Sequence, residues 1–206
     1  MTETILAFDT SLPQISAAVL HEGKVIAAVT EEMARGQAER LMPLVQELLA
    51  GQNLTFGDLT AVAVGVGPGN FTGIRISVSA ARGLALGLGI PAVGVTAFEA
   101  MLPEADPFSD TLKLLTIDAP RGQIYAQHYR GNAAADDAIL TTPDDLAPLA
   151  ERTQPNTQSI AERIAHIAAL RLADPAYNRK SRPAPLYVRA ADAAPSRDAA
   201  PVILAG

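Results

Sequence analysis

GVGPGNFTGIRISVSAARGLALGLGIPAVGVTAFEAM, Gly65–Met101, is the stretch that decides the fold. A short apolar run, Ala61–Val66, ends in the turn Gly67-Pro68-Gly69-Asn70. The turn opens into a helical pattern over Thr72–Gly87, and Gly89-Ile90-Pro91 leads to a second apolar run, Ala92–Val95. Strand, glycine loop, helix and strand make a βαβ unit, and such a loop can bring an anion to the free N–H groups that open a helix. Asn70 or Thr72 is the expected N-cap. The helix is rich in small residues, and glycine inside a helix costs about 1 kcal/mol relative to alanine. Gly83 and Gly87 therefore predict a close approach by a sheet or a second helix.

Working outward, Thr4–Phe8 reads as a first strand with Asp9-Thr10-Ser11 at its end. Ile15–Leu20 and Val25–Thr30 read as a hairpin turning at His21-Glu22-Gly23-Lys24, with glycine where positive φ is expected. Leu41, Leu44, Val45, Leu48 and Leu49 recur at helical spacing on one apolar face. Pro43 is expected in or near that helix's first turn, which leaves the preceding ARGQAER as a loop or separate turn. Beyond Met101, Leu112–Ile117 and Ile124–Tyr129 read as strands around Asp118-Ala119-Pro120-Arg121-Gly122, where Asp118 and Arg121 suggest a turn salt bridge. Asp144–Ala150 and Ile160–Leu172 read as helices. The expected organisation is an N-terminal lobe at 1–103, a C-terminal lobe at 104–190 and a disordered tail at 191–206.

Composition narrows the function classes. The chain has 206 residues, about half of them apolar, and a net charge of −6. An acidic chain is a poor stand-alone binder of nucleic acid, because that affinity comes mainly from neutralising phosphates. It has no cysteine, which excludes disulfides, thiolate nucleophiles and cysteine-based zinc sites. No signal peptide or membrane-length apolar run is evident, so a cytoplasmic location is expected. His21, His128 and His166 fall in a turn, a strand and a helix, with no His-x-x-x-His or Glu-x-x-His pair, so no metal site is expected. Ser11, Ser77, Ser79 and Ser109 lack the Gly-x-Ser-x-Gly context of a hydrolase nucleophile.

Four segments together resemble the TsaB (YeaZ-like) family of tRNA threonylcarbamoyladenosine biosynthesis proteins: ILAFDTS (Ile5–Ser11), VGPGNFTGIRISVSAARGLALGLGIPAVGVTAFEA (Val66–Ala100), IDAPRGQIYAQHY (Ile117–Tyr129) and PLYVR (Pro185–Arg189). The resemblance implies an α/β, actin-like ASKHA (ribonuclease H-like) fold of two related lobes, the second shortened here. It implies a non-catalytic scaffold required for threonylcarbamoylation of the adenosine next to the anticodon in tRNAs reading codons that begin with A. The implied partners are a TsaD-type catalytic paralogue, which carries the metal, and a TsaE-type ATPase. A homodimer is implied in isolation, with tRNA met only through the complex. The sequence departs from the family where a His-Ser-Glu-like helix start reads Gly36-Gln37-Ala38-Glu39, and again between Leu149 and Gln158, where ERTQPNTQ is short and polar.

Asp9, Thr10 and Ser11 stand where an actin-like fold holds its first phosphate loop, and Gly67, Gly69 and Asn70 form the second candidate loop. Leu12-Pro13 fill the space where the phosphate-loop pattern requires glycine, and GPGNFTG lacks the Lys-Ser/Thr of a Walker A loop. The six residues therefore read as a vestigial nucleotide site with ATP binding weak or absent, and no cofactor is expected. The alternative is an active ATP-dependent kinase or hydrolase of the same superfold. Arg75 opposes the helix dipole in the first turn and is expected to pair with an acid or a partner. Leu41, Leu44, Val45 and Leu48 on one helix, with Ser77, Ala81 and Leu84 on the other, are the candidate partner interface. Both stripes could equally face the lobe's own sheet.

Overall fold

Every residue of the strand β1, Thr4–Asp9, is buried, so both of its faces and both of its edges need cover. The edges are covered by β2, Gln14–His21, antiparallel to β1, and by a parallel strand described below. The computed structural model describes residues 2–102, 110–146 and 159–188. The β2 hairpin returns as β3, Lys24–Glu32, through Glu22 and Gly23, both at positive φ (49° and 75°). Burial alternates along β3, and its charged residues mark a sheet edge.

Helix α1, Gln37–Ala50, starts four residues before its apolar stripe and carries Pro43 internally, which corrects the expected loop over ARGQAER. Side chains hold this early start. Gln37 Nε2 donates to the carbonyls of Leu12 and Gln14, both at 2.8 Å, and Arg40 bridges Glu31 on β3 and Glu47 two turns further on. β4, Ala61–Gly65, runs parallel to β1. Helix α2, Phe71–Leu88, is capped by Asn70, whose side chain accepts from Gly73 N at 2.9 Å, and is ended by Gly89 in the left-handed region. β5, Ala92–Val95, pairs parallel with β4 and leads into the short helix α3, Ala97–Met101.

The resulting sheet has the order β3-β2-β1-β4-β5, with β2 antiparallel to β1 and β4 and β5 parallel to it. This is the ribonuclease H-like sheet of actin-like ASKHA domains. The two-residue period of β1 splits it cleanly between two cores. Leu6 and Phe8 join α1 and α2 on one face, while Ile5 and Ala7 pack with Ala61, Ala63 and Val93 on the other.

A smaller antiparallel sheet follows. β6, Leu112–Asp118, pairs with β7, Ile124–Arg130, and β7 also pairs with β8, Ala133–Ala134, and β9, Ile139–Thr141. Tyr125 and Tyr129 of β7 meet Phe98 and Leu102 of the first lobe in a third core. Among the described residues no ion pair joins Asp118 to Arg121, and Arg121 instead takes a left-handed φ of 65°. Pro143–Asp145 is a single 3-10 turn where a longer helix was expected. The rest of that helix, the ERTQPNTQ stretch and the 191–206 tail lie outside the described residues.

Helix α4, Ile160–Ala173, does not stay with the second sheet. Ala161, Ile164, Ala165, Ala168 and Leu172 cover the second face of the first sheet, where alanine faces alanine and the approach is close. Ser16 Oγ meets Ser159 Oγ at 2.9 Å, and Arg171 reaches the Gly94 carbonyl and Glu99. The segment after α4 also returns to the first lobe, where Leu186 N donates to the Val66 carbonyl at 2.8 Å. A boundary near residue 103 therefore separates the two sheets in sequence, while α4 and the 183–187 segment pack as parts of the first.

Candidate functional site

Two loops meet at the C-terminal ends of β1 and β4. Phe8 pairs with Val64, so Asp9 and Gly65 finish neighbouring strands side by side. Asp9 is fully buried, and its Oδ1 accepts from both the N–H and the hydroxyl of Ser11, each at 2.9 Å. Its Oδ2 is buried without a hydrogen-bond partner and lies against Gly65, where a Cβ would stand only 1.8 Å away. Burial pushes the Asp9 carboxyl above its ordinary 3.8, and the two Ser11 hydrogen bonds oppose that shift only in part.

The second loop closes over the first. Thr10 Oγ1 donates to the Gly73 carbonyl at 2.6 Å, and Asn70 N donates to the Ser11 carbonyl at 2.7 Å. A Cβ on Gly73 would lie 1.9 Å from the Thr10 carbonyl oxygen, and one on Gly69 would lie 2.5 Å from that of Ser11. Gly67, at φ 91°, has a carbonyl that accepts from Ala97 N at 2.8 Å. Asp9, Thr10, Ser11, Gly67, Gly69 and Asn70 stand in these two neighbouring loops, and the side chains of Thr10, Ser11 and Asn70 are bonded within the protein. Asn70 occupies the Gly73 N–H, which an anion at the start of α2 would need. Gly65 and Gly73, which make the interlock possible, were not predicted.

The interface candidates divide differently. Leu41, Leu44, Val45 and Ala81 are buried in the first lobe's core, so they are corrected from a partner surface to core. Ser77 is corrected too: it is fully buried and donates to the carbonyls of Gly65 and Ile74 at 3.2 and 3.1 Å. Leu48 and Leu84 are half-buried against the same core. The physical reason is that an amphipathic stripe marks the side of a helix that faces its own sheet. On α2 the uncovered side carries Thr72, Ser79, Gly83, Leu86 and Gly87, with Leu86 79% exposed. A Cβ on Gly83 or Gly87 would meet nothing within 4 Å, so the close approach expected at these two glycines is not made among the described residues.

Arg75 pairs with aromatic rings rather than with an acid. Its guanidinium carbon lies 3.7 Å from the centre of the Phe71 ring, and Nε donates to Tyr187 Oη at 2.9 Å. The Phe71 and Tyr187 ring centres are 5.0 Å apart, so the PLYVR segment is stitched to the start of α2. Among the described residues, no group of three His, Cys, Asp or Glu side chains is placed to hold a metal ion. No helix among them is long and apolar enough to cross a membrane.

Residues 24–188 match the family model described as TsaD, tRNA N6-adenosine threonylcarbamoyltransferase. The TsaB protein of Bacillus subtilis is 36% identical over 148 residues, spanning 72% of this chain and 63% of that protein. YeaZ from Pseudomonas aeruginosa superimposes with a TM-score of 0.72 at 25% identity, covering 90% of this chain and 99% of that one. The chain belongs to the TsaB/YeaZ-like family. Curated TsaB members carry in their names a role in tRNA threonylcarbamoyladenosine biosynthesis. An uncharacterised protein of Mycobacterium tuberculosis matches over more of its length, 35% identical over 93% of this chain and 94% of that one. Within the TsaB/YeaZ-like fold, the interlocked loops stand at the strand ends where the sequence placed a phosphate site.

Proposed function

We propose that this chain is a non-catalytic scaffold in threonylcarbamoylation of the adenosine next to the anticodon of tRNAs reading codons that begin with A. It acts by pairing with a TsaD-type catalytic paralogue, in company with a TsaE-type ATPase, and pairs with itself when alone. The observation that carries this reading is the interlock of the two loops. Thr10 and Ser11 spend their hydroxyls inside the protein, and the backbones meet where a phosphate would lie. The kinase or hydrolase alternative needs that space open and those donors free. The docking face is the uncovered side of α2, Thr72, Ser79, Gly83 and Gly87 with Leu86, beside the outer face of α1. Glycine at two exposed helix positions destabilises the monomer and lets a partner helix approach closely. A paralogue with the same fold presents similar helices, so self-pairing and paralogue pairing compete for one surface.

The test is reconstitution from purified components. The paralogue and ATPase should modify tRNA only when this chain is present, and the chain alone should neither modify tRNA nor turn over ATP. ATP turnover by the lone chain that Asp9→Ala abolishes would overturn the scaffold reading in favour of the kinase or hydrolase.

A further inference from the structure

In a chain with 22 acidic and 16 basic side chains, most clusters of arginine should find a carboxylate. Three arginines do: Arg40 pairs with Glu31 and Glu47, Arg130 with Asp110, and Arg171 with Glu99. One place breaks the pattern. A groove of about 500 Å³ between the exposed flank of α2 and the segment after α4 borders the proposed docking face at Gly83 and Leu86, and is lined by Arg82, Arg179, Lys180 and Arg182 and, among the described residues, by no acidic side chain. None of these four meets a carboxylate among the described residues.

The segment that carries three of the cations is held in place by its turn and its ends. Asn178 organises the turn, its Oδ1 accepting from Lys180 N at 3.1 Å and its carbonyl from Ser181 N at 2.9 Å. Arg179 is anchored at the Leu172 carbonyl. Pro183 is pressed against Gly94, where a Cβ would stand 3.1 Å away, and fixes the far end of the segment. Ile90 and Pro91 form the apolar floor. Four like charges in one open groove repel one another unless a polyanion lies between them.

We infer that this groove binds the phosphodiester backbone of RNA, and that it is this chain's own contribution to tRNA binding within the complex. The inference rests on the proposed function, which brings tRNA to the assembly. A repeating phosphate track suits cations arrayed along a turn and across to a helix, and it requires no base-specific group. Four contacts in a chain of net charge −6 are too few for tight binding alone, so the groove acts only where the paralogue supplies the rest.

The test compares complexes of the paralogue with the unaltered chain, with Arg82→Ala/Lys180→Ala/Arg182→Ala, and with Arg82→Lys/Arg182→Lys. Assembly is read by size-exclusion chromatography, and tRNA affinity is titrated across a salt series. All three altered side chains are exposed, so the melting temperature should hold. The alanine complex should assemble normally and show a log affinity against log salt slope shallower by about 2–3, at about 0.7–0.9 per lost phosphate contact. The lysine complex should keep the original slope. An unchanged slope and affinity in an assembled alanine complex overturns the RNA assignment. Loss of assembly in the alanine variant alone overturns it differently, by making the groove a docking site for an acidic surface of the paralogue. If the unaltered chain does not assemble with the paralogue, the proposed function fails, and the assignment of RNA fails with it.

Discussion

Gly65→Ala tests the interlock directly. The added methyl would sit 1.8 Å from Asp9 Oδ2 and 2.7 Å from its Cγ, against an ordinary contact distance of about 3.5 Å. One of the two must move by more than an ångström. Asp9 is fully buried and tied by two hydrogen bonds to Ser11, while Gly65 is held in the sheet opposite Val95. Forcing a methyl into packed space costs about 1–3 kcal/mol. Losing both Ser11 bonds adds about 0.5–1.5 kcal/mol each, so the sum is about 2–6 kcal/mol. With a urea dependence of about 2 kcal/mol/M, the unfolding midpoint should fall by about 1–3 M. Gly83→Ala is the matched control, because its methyl enters open space on an exposed helix flank. It should raise stability by about 0.5–1 kcal/mol. Asp9→Ala in the Gly65→Ala background removes the clashing carboxylate, so a double-mutant cycle should show a coupling of about 1–3 kcal/mol. A Gly65→Ala midpoint equal to wild type, or additive effects in the cycle, would refute the close contact on which the closed site depends.

Three further outcomes are expected. With its carboxyl raised above 3.8, Asp9 stays protonated in the folded chain over a window in which the unfolded chain ionises it, so its contribution to stability falls as pH rises through that window. Asp9→Asn keeps an acceptor for Ser11 and abolishes that loss, so the variant's melting temperature relative to wild type should climb from pH 3.5 to pH 7; a flat difference would contradict it. Gln37→Leu strands the Leu12 and Gln14 carbonyls and should cost about 1–3 kcal/mol in denaturant unfolding, a loss that an interchangeable surface residue would not produce. Leu86→Glu and Ser79→Arg should abolish both self-pairing and paralogue pairing in sedimentation while shifting stability by less than about 0.5 kcal/mol; retained pairing in both would move the interface off α2.

What could be read from sequence follows from how local each signal is. The glycine turn, the βαβ unit and the β2–β3 hairpin are written in neighbouring residues, and they stand within a residue or two of where they were expected. The meeting of Asp9–Ser11 with Gly67–Asn70 was legible too, because both loops end strands that a parallel sheet sets side by side. Its closure was not. The clearances at Gly65 and Gly73 are backbone distances across the fold, with no counterpart in spacing or composition. Helix α4 was misplaced for a related reason: it lies past the second sheet in the chain, and nothing in its alanine-rich face says which sheet it will cover.

The surroundings of α2 account for most of its length. Gly73 and Ser77 are committed to the β1 loop and the sheet. Ile76, Ala80 and Leu84 pack into the core shared with α1. Arg75 and Arg82 face the returning segment, at Tyr187 and at the basic groove. What remains is the exposed strip of Thr72, Ser79, Gly83, Leu86 and Gly87, where a Cβ on either glycine would meet nothing within 4 Å among the described residues. Alanine at either glycine would make the isolated protein more stable. Under the proposed function, the strip has its physical reason in the helix that docks against it. The apolar stripe misled as an interface signal because it is strong for the core, whereas a surface that waits for a partner is marked by residues that leave the monomer less stable than it could be.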